Sequence, residues 1–147
     1  MEALGIAMLP RMAQRHEHLA RTVAEMHRIL SPERDAALEG FPVLPEPVRT
    51  IVGVNSMPLA QYAGRECDGV NVSYWHPERA AFAAAAREAA GDRPFDVSVW
   101  DFFSPEMCDP DHPANVSFRG LGIEHVILLV KGAPDPSVIS SCARYMR

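Results

Sequence analysis

Residues 77–101 read PERAAFAAAAREAAGDRPFDVSVWD and combine a helix signal with a strand signal. Alanine, the best helix former, dominates residues 78–90. Pro77 suits a first helical turn, and Gly91 suits the left-handed cap that ends a helix. Residues 95–101 then alternate apolar with polar side chains, which is the period of two expected of a strand. The segment therefore predicts a helix over 78–90 followed by a strand over 95–101.

The preceding part of the chain shows the same alternation of strands and helices. Residues 4–9 form a short apolar run, which favours a buried strand. In residues 11–30 the apolar side chains recur at steps of three, four or seven, which predicts an amphipathic helix. Residues 49–55 are β-branched and bounded by prolines, which predicts another short strand. Residues 59–76 have no sustained period and are predicted to form a loop.

Strands that alternate with helices imply βαβ units and a parallel sheet. We therefore predict one α/β domain over residues 1–147, with three layers (α/β/α) around a small parallel sheet. Within it, residues 31–48 are a Pro-rich irregular connection and residues 132–147 form a tail. Residues 121–130 are apolar enough for either a strand or a helix. In such folds the functional site lies at the carboxyl ends of the strands.

Composition excludes several classes of function. The formal net charge is −5 and no run of Lys or Arg is present, so a nucleic-acid partner is not expected. No segment approaches the roughly 20 apolar residues that span a bilayer, so no membrane association is expected. The three cysteines cannot all pair within one chain and form no C-x-x-C motif, which predicts a reducing, cytoplasmic location. No cofactor is predicted.

The densest polar cluster is residues 108–113, CDPDHP, directly after the strand predicted over 95–101. Asp109 and His112 are three residues apart and can approach within one turn. A carboxylate held against an imidazole stabilises the imidazolium, which is what a general base needs. The alternative interpretation is an ordinary Asp-Pro turn with an exposed histidine on its rim.

A metal site is a further interpretation of the same segment. Thiolate, carboxylate and imidazole ligands together suit zinc. The segment offers four such side chains: Cys108, Asp109, Asp111 and His112. A complete site needs further ligands, for which His76 and Cys67 are the candidates.

The order of a strand, D-x-x-H-P, an asparagine and then a Gly-containing apolar helix resembles the last block of the SGNH (GDSL-type) hydrolases and related O-acyltransferases. The resemblance implies that Asp109 and His112 are the catalytic acid and base. It likens residues 50–54 to the penultimate strand of that fold, 77–90 to the helix after it, and 95–101 to the last strand. The implied fold is SGNH-like or flavodoxin-like and lacks the first strands.

The implied activity is ester hydrolysis or O-acyl transfer on a small-molecule ester or an acylated glycan. The G-D-S block that carries the family's nucleophile is not visible, and Ser56, Ser73 and Ser104 lie in no G-x-S-x-G setting. Three explanations stay open: Met1 is an internal start or the chain is a fragment, a second polypeptide supplies the first half, or the domain is noncatalytic.

A noncatalytic binding or assembly module is the main alternative to an enzyme. Such a module would use the loops at 56–76 and 102–116 for a ligand or partner. A sheet that lacks strands exposes an edge, which favours a homo-oligomer or a partner chain that covers it. Large apolar side chains near the strand ends are interpreted as core rather than as an acyl or sugar pocket. These are Trp75, Trp100, Phe102 and Phe103.

Overall fold

The computed structural model describes residues 11–31, 33, 36–40, 46–123, 125–132 and 135–145. The chain divides into two compact units, Met1–Thr50 and Ile51–Arg147. The strand predicted over 4–9 lies outside the described residues. The prediction of one domain over residues 1–147 stays a prediction, and each unit is described by itself.

The first unit contains helix α1, Met12–Leu30, which confirms the helix predicted over 11–30. Val23 is its buried residue. Within this unit, the imidazole Nε2 of His27 in α1 lies 2.8 Å from the hydroxyl of Thr50, within hydrogen-bond distance. The Pro-rich connection contains a short 3₁₀ turn, Ala36–Leu38.

The second unit alternates strands with helices along the chain. Its strands are β1 (Ile51–Val54), β2 (Gly69–Ser73), β3 (Asp96–Phe102) and β4 (His125–Leu129). Its helices are α2 (Met57–Glu66), α3 (Arg79–Ala90), α4 (Pro113–Gly120) and α5 (Pro136–Ser140). Two further 3₁₀ turns cover Pro105–Cys108 and Ser141–Tyr145.

The four strands form one parallel sheet in the order β1-β2-β3-β4. The predicted α/β class with a small parallel sheet is therefore confirmed. The strands predicted over 49–55 and 95–101 correspond to β1 and β3, and the helix predicted over 78–90 corresponds to α3. Because the order follows the chain, the described sheet contains no point at which strand order reverses, unlike a flavodoxin-type sheet.

The sheet buries one face. The register aligns Val52 with Val70 and Val97, and Val54 with Val72 and Val99. All six valines are buried, and α2 and α3 pack against these strands. The other face is more open, since Ile51 and Ile127 are each 47% exposed. Burial of the valine face supplies the apolar contact that β-branched residues favour in a parallel sheet.

Helices α2 and α3 pack closely because α2 carries small residues where they meet. An added Cβ at Gly64 would lie 2.7 Å from the Cβ of Ala89 and closer still to the carbonyl oxygen of Ala86. The guanidinium of Arg93 donates to the carbonyls of Gly64 and Arg65 in the last turn of α2. A cationic donor at this position satisfies carbonyls that have no partner within the helix. The end of α2 is thus held by the segment that follows α3.

Residues 59–76, predicted as a loop, are the largest error of the sequence analysis. They form most of α2 and the whole of β2. The buried face of helix α2 consists of Leu59 and the small residues Ala60, Ala63 and Gly64, so the sequence shows no stripe of large apolar side chains there. Strand β2 has only five residues and begins at a glycine, although its valines do alternate with polar side chains.

Two further parts of the chain that the sequence left without a defined secondary structure contain helices and a strand. Residues 121–130, which the sequence left open between strand and helix, contain β4, and α4 lies within the predicted loop 102–116. The tail 132–147 contains α5 and a 3₁₀ turn. The resemblance placed the penultimate and last strands at 50–54 and 95–101, whereas the structure inserts β2 between them and adds β4 beyond.

Among the helices that the structure describes, none is both long enough and apolar enough to cross a bilayer.

We expect Gly64→Ala to lower the free energy of unfolding by about 1–3 kcal/mol, because the added methyl group overpacks the contact between α2 and α3. Gly120→Ala is the control, since nothing lies within 4 Å of the corresponding Cβ position. Urea denaturation followed by circular dichroism measures the free energy of unfolding of both variants. Equal stability of the two variants would contradict the close packing at Gly64.

Candidate functional site

The carboxyl ends of the four parallel strands meet at one edge of the sheet, where ligands bind in open α/β folds. Strand β2 leads into Tyr74 and Trp75, β3 ends at Phe102, and β4 is followed two residues later by Lys131. We call Tyr74, Trp75 and Phe102 the aromatic edge. This edge is the candidate functional site.

A buried carboxylate anchors the aromatic edge. Asp101 in β3 is 5% exposed. Its Oδ1 accepts a hydrogen bond from the indole Nε1 of Trp75 at 2.8 Å and another from the backbone amide of Phe102 at 2.6 Å. A buried carboxylate is costly unless donors surround it, so these two bonds are what make the position tolerable. They also hold Trp75 in one orientation.

Trp75 is exposed although it is held on two sides. Its side chain keeps 67% of its surface exposed to solvent. Besides the bond to Asp101, the ring makes an edge-to-face contact with Tyr74 at a centroid distance of 4.9 Å. Tyr74 in turn contacts the buried ring of Phe118 in α4 at 5.4 Å. The indole is therefore a fixed aromatic surface that faces solvent.

Two cations lie beside the aromatic edge. The guanidinium carbon of Arg79, the first residue of α3, is 5.2 Å from the centroid of Tyr74. The Nε of Arg79 is buried and has no hydrogen-bond partner. The ammonium of Lys131 lies 3.6 Å from the centroid of Phe102. Both are cation–π contacts, and both bring positive charge to this edge of an acidic protein.

The predicted acid–base pair has a different arrangement. The carboxylate of Asp109 accepts from the backbone amide of Asp111 at 2.9 Å, and Nδ1 of His112 accepts from the backbone amide of Ala114 at 3.3 Å. His112 is thereby the N-cap of α4. The two residues meet only through the backbone, with the His112 amide donating to the Asp109 carbonyl at 3.1 Å.

This geometry is the reverse of what a histidine base requires. An orienting aspartate accepts a proton from Nδ1, and Nε2 is then available to take a proton from the nucleophile. Here Nδ1 of His112 is itself an acceptor, so in the neutral ring the proton lies on Nε2. The side chains of Asp109 and His112 share no hydrogen bond or ion pair. Their catalytic assignment stays a prediction.

The candidate nucleophiles lie near strand ends but do not meet His112. Ser56 is the N-cap residue of α2, Ser73 ends β2, and Ser104 precedes the 3₁₀ turn Pro105–Cys108. The Oγ of Ser56 is buried without a hydrogen-bond partner. Among the described side chains, no hydrogen bond joins any of these serines to the imidazole of His112.

The metal interpretation gains no support from the described residues. Within them, no group of three or more His, Cys, Asp or Glu side chains is placed to hold a metal ion. Nδ1 of His76 accepts from the backbone amide of Glu78 at 3.2 Å. Burial raises the pKa of the Cys67 thiol to about 11, so the thiol is protonated at neutral pH.

The sequence analysis noted the aromatic residues but assigned them to the core. Trp75 and Phe102 are instead exposed, at 67% and 39%. The roles of Asp101 and Arg79 were missed. The available signal was positional, because Asp101 is a charged residue near the end of a strand with buried neighbours, and charged residues rarely occupy such positions unless they are paired.

No protein-family model matches the chain, and no curated protein matches it at a significant level.

We expect His112→Ala to destabilise the protein by about 0.5–2 kcal/mol through loss of the N-cap of α4, while p-nitrophenyl acetate turnover stays at the wild-type rate. His112→Asn is the matched control, since asparagine restores the cap without an imidazole. Thermal unfolding and ester turnover are measured on all three proteins. A fall in turnover of about a hundredfold in both folded variants would instead support the acid–base pair.

We expect Asp101→Ala to lower the free energy of unfolding by about 1–3 kcal/mol, because it leaves the backbone amide of Phe102 and the indole of Trp75 without their acceptor. In a Trp100→Phe background, Trp75 is the one tryptophan left, so its fluorescence anisotropy should also fall. Asp111→Ala, at an exposed position, is the control and should change neither quantity. Unchanged anisotropy would show that Asp101 does not hold the ring.

Proposed function

We propose that residues 51–145 are a small-molecule binding domain and that a planar ring of the ligand stacks on Trp75 at the carboxyl edge of the sheet. This is the noncatalytic binding interpretation of the sequence. The observation that carries it is an indole that is 67% exposed yet fixed by Asp101 and Tyr74. An exposed aromatic side chain that only filled space would have no need of a buried carboxylate to orient it.

Stacking on a fixed ring is favourable for two physical reasons. A tryptophan side chain offers about 150–250 Å² of surface, and burial of apolar surface contributes about 25 cal/mol per Å². Because the indole is already held in one orientation, little side-chain entropy is lost when a ligand binds. Trp75 therefore provides binding energy without a compensating ordering cost.

The charges around Trp75 favour an anionic group on the ligand. Arg79 lies over Tyr74, which contacts Trp75, whereas Lys131 lies over Phe102, whose side chain is on the face of β3 opposite Asp101. The N-termini of α2 and α3, which carry partial positive charge, follow β1 and β2 at the same edge. Asp101 is occupied by its two donors, and Glu78 and Glu106 are exposed acidic residues that follow β2 and β3. A planar aromatic anion matches this set of groups best.

The enzyme hypothesis rests on the resemblance of the D-x-x-H-P segment to SGNH hydrolases. It requires Asp109 to pair with His112 and a nucleophile to join them, and the ester-turnover experiment above decides it.

A cytoplasmic location stays part of the proposal, since none of the three cysteines forms a disulfide. So does a homo-oligomer or partner chain, because β1 and β4 are the outer strands of the described sheet. Light scattering after size-exclusion chromatography tests the oligomeric state.

We expect AMP, which joins a planar base to a phosphate, to bind more tightly than either adenosine or ribose 5-phosphate. Trp75→Ala should weaken AMP binding by about tenfold or more, the cost of losing one stacking surface. Trp100→Phe, which changes the other tryptophan, is the matched control and should bind AMP as the wild type does. Isothermal titration calorimetry measures the affinity of each ligand for the wild type and the affinity of AMP for each variant. Equal affinity of Trp75→Ala and the wild type would reject the stacking role.

A further inference from the structure

Strand β4 is an outer strand of the sheet and pairs on one side, with β3, among the strands that the structure describes. The amide of Phe103 donates to the carbonyl of Leu129 at 2.9 Å, so the backbone groups of Leu129 point toward β3. Successive residues of a strand direct their amide and carbonyl groups to opposite sides. The backbone groups of Val126, Leu128 and Val130 therefore point away from the sheet.

These outward groups have no backbone partner within the part of the chain that the structure describes. No hydrogen bond from another described backbone group reaches Val126, Leu128 or Val130 on that side. A row of unpaired amides and carbonyls along an edge is a template for a further strand. The outer edge of β4 is thus open to a strand from another chain.

The side chains of β4 are apolar on both faces. Ile127 and Leu129 are 47% and 43% exposed on one face, and Val126 and Leu128 are partly exposed on the other. Residues 125–130, HVILLV, contain no Lys, Arg, Asp, Glu, Pro or Gly. Outer strands that stay unpaired usually carry a charged residue or a proline that prevents pairing. The composition of β4 is that of a strand which pairs.

The opposite outer strand, β1, is a poorer surface for pairing. It has four residues, of which Val52 and Val54 are buried and Gly53 has no side chain. Ile51 is its one exposed large apolar residue. The contact between chains is therefore expected at β4.

Strand β4 is complementary to a second copy of itself in the antiparallel direction. With Leu128 on the two-fold axis, it faces Leu128 of the second copy, and Val126 faces Val130 of the second copy. These are the outward residues, so each pair can exchange two backbone hydrogen bonds. Ile127 then lies opposite Leu129 of the second copy, in the closer type of pair, and two exposed apolar side chains bury each other.

The cations beside β4 do not oppose this pairing. The ammonium of Lys131 lies over the ring of Phe102, and the guanidinium of Arg119 donates to the carbonyl of Pro110 at 2.6 Å, so both are engaged within their own chain. Within residues 125–130 the imidazole of His125 is the one titratable side chain. The register therefore brings no carboxylates or ammonium groups of like charge face to face.

We propose that the protein is a symmetric dimer in which the β4 strands of two copies pair in the antiparallel direction and join their four-stranded sheets into one. A two-fold contact of this kind closes, whereas pairing of β4 with β1 of another copy would leave free edges and continue into a filament. The proposal assigns the homo-oligomer considered above to one strand and one register. It does not depend on ligand stacking at Trp75.

Light scattering over a dilution series tests the dimer. We expect the wild type to have twice the 16.2 kDa mass of one chain. Ile127→Lys should raise the dissociation constant of the dimer about a hundredfold, because each dimer would bury two ammonium groups against apolar side chains. Ile51→Lys is the matched control, since Ile51 is equally exposed but lies on β1, and it should stay dimeric. Circular dichroism verifies that both variants fold.

Cysteine cross-linking tests the register in a Cys108→Ser background, in which the remaining native cysteines are buried. Two copies of Leu128→Cys should form a disulfide on mild oxidation, because directly opposite Cα atoms lie about 5.5 Å apart. Val126→Cys is the control on the same face of β4. Its two copies would lie about 14 Å apart along the paired strands, which is too far for a disulfide.

Three results would overturn the proposal. They are a monomeric wild type at every concentration, dissociation of Ile51→Lys to the same extent as Ile127→Lys, and cross-linking of Val126→Cys as fast as that of Leu128→Cys. Because AMP binding is measured separately by calorimetry, failure of the dimer and failure of the stacking site are distinguishable.

Discussion

The second unit depends on the burial of a row of valines between one face of the sheet and helices α2 and α3. The strands are short, with four or five residues in β1, β2 and β4, so backbone pairing alone would not hold them. Val70, Val72 and Val99 are almost completely buried. The small residues of α2 let it lie close to α3 and the sheet, and a larger side chain at Gly64 would separate the two helices. Burial of apolar surface is the dominant favourable contribution to folding, and here it is concentrated on one side of four strands.

That arrangement positions the candidate site. Four strands held in parallel bring their carboxyl ends to one edge, so residues that are distant in sequence become neighbours there. Asp101 and Trp75 are 26 residues apart and join across β2 and β3. The carboxylate is buried because β3 lies inside the sheet, and the indole is exposed because it follows the end of β2. The order of the strands in the sheet therefore explains why the carboxylate of Asp101 is buried while the indole of Trp75 is exposed.

In the loop after β3, the local spacing of two side chains does not specify their hydrogen-bond partners. Asp109 and His112 do approach within one turn, as their spacing predicts, and Pro113 begins a helix. Each side chain accepts a hydrogen bond from a backbone amide two residues further along the chain. Asp109 accepts from the amide of Asp111, and His112 accepts from the amide of Ala114. Asp is a common residue in such local turns because its side chain competes for nearby amides. Side-chain spacing therefore predicted proximity but not the choice of partner.

Sequence by itself determined the elements whose signal is local. Alanines with Pro77 and Gly91 specify α3, alternation specifies β3, and their succession specifies a parallel α/β sheet, because these preferences act between residues a few positions apart. Tertiary structure alone decided that residues 59–76 form α2 and β2, where small side chains become favourable only against α3. It also decided that Trp75 faces solvent while Asp101 holds it. These outcomes depend on which distant groups compete for each donor and acceptor, and that competition exists only once the chain has packed.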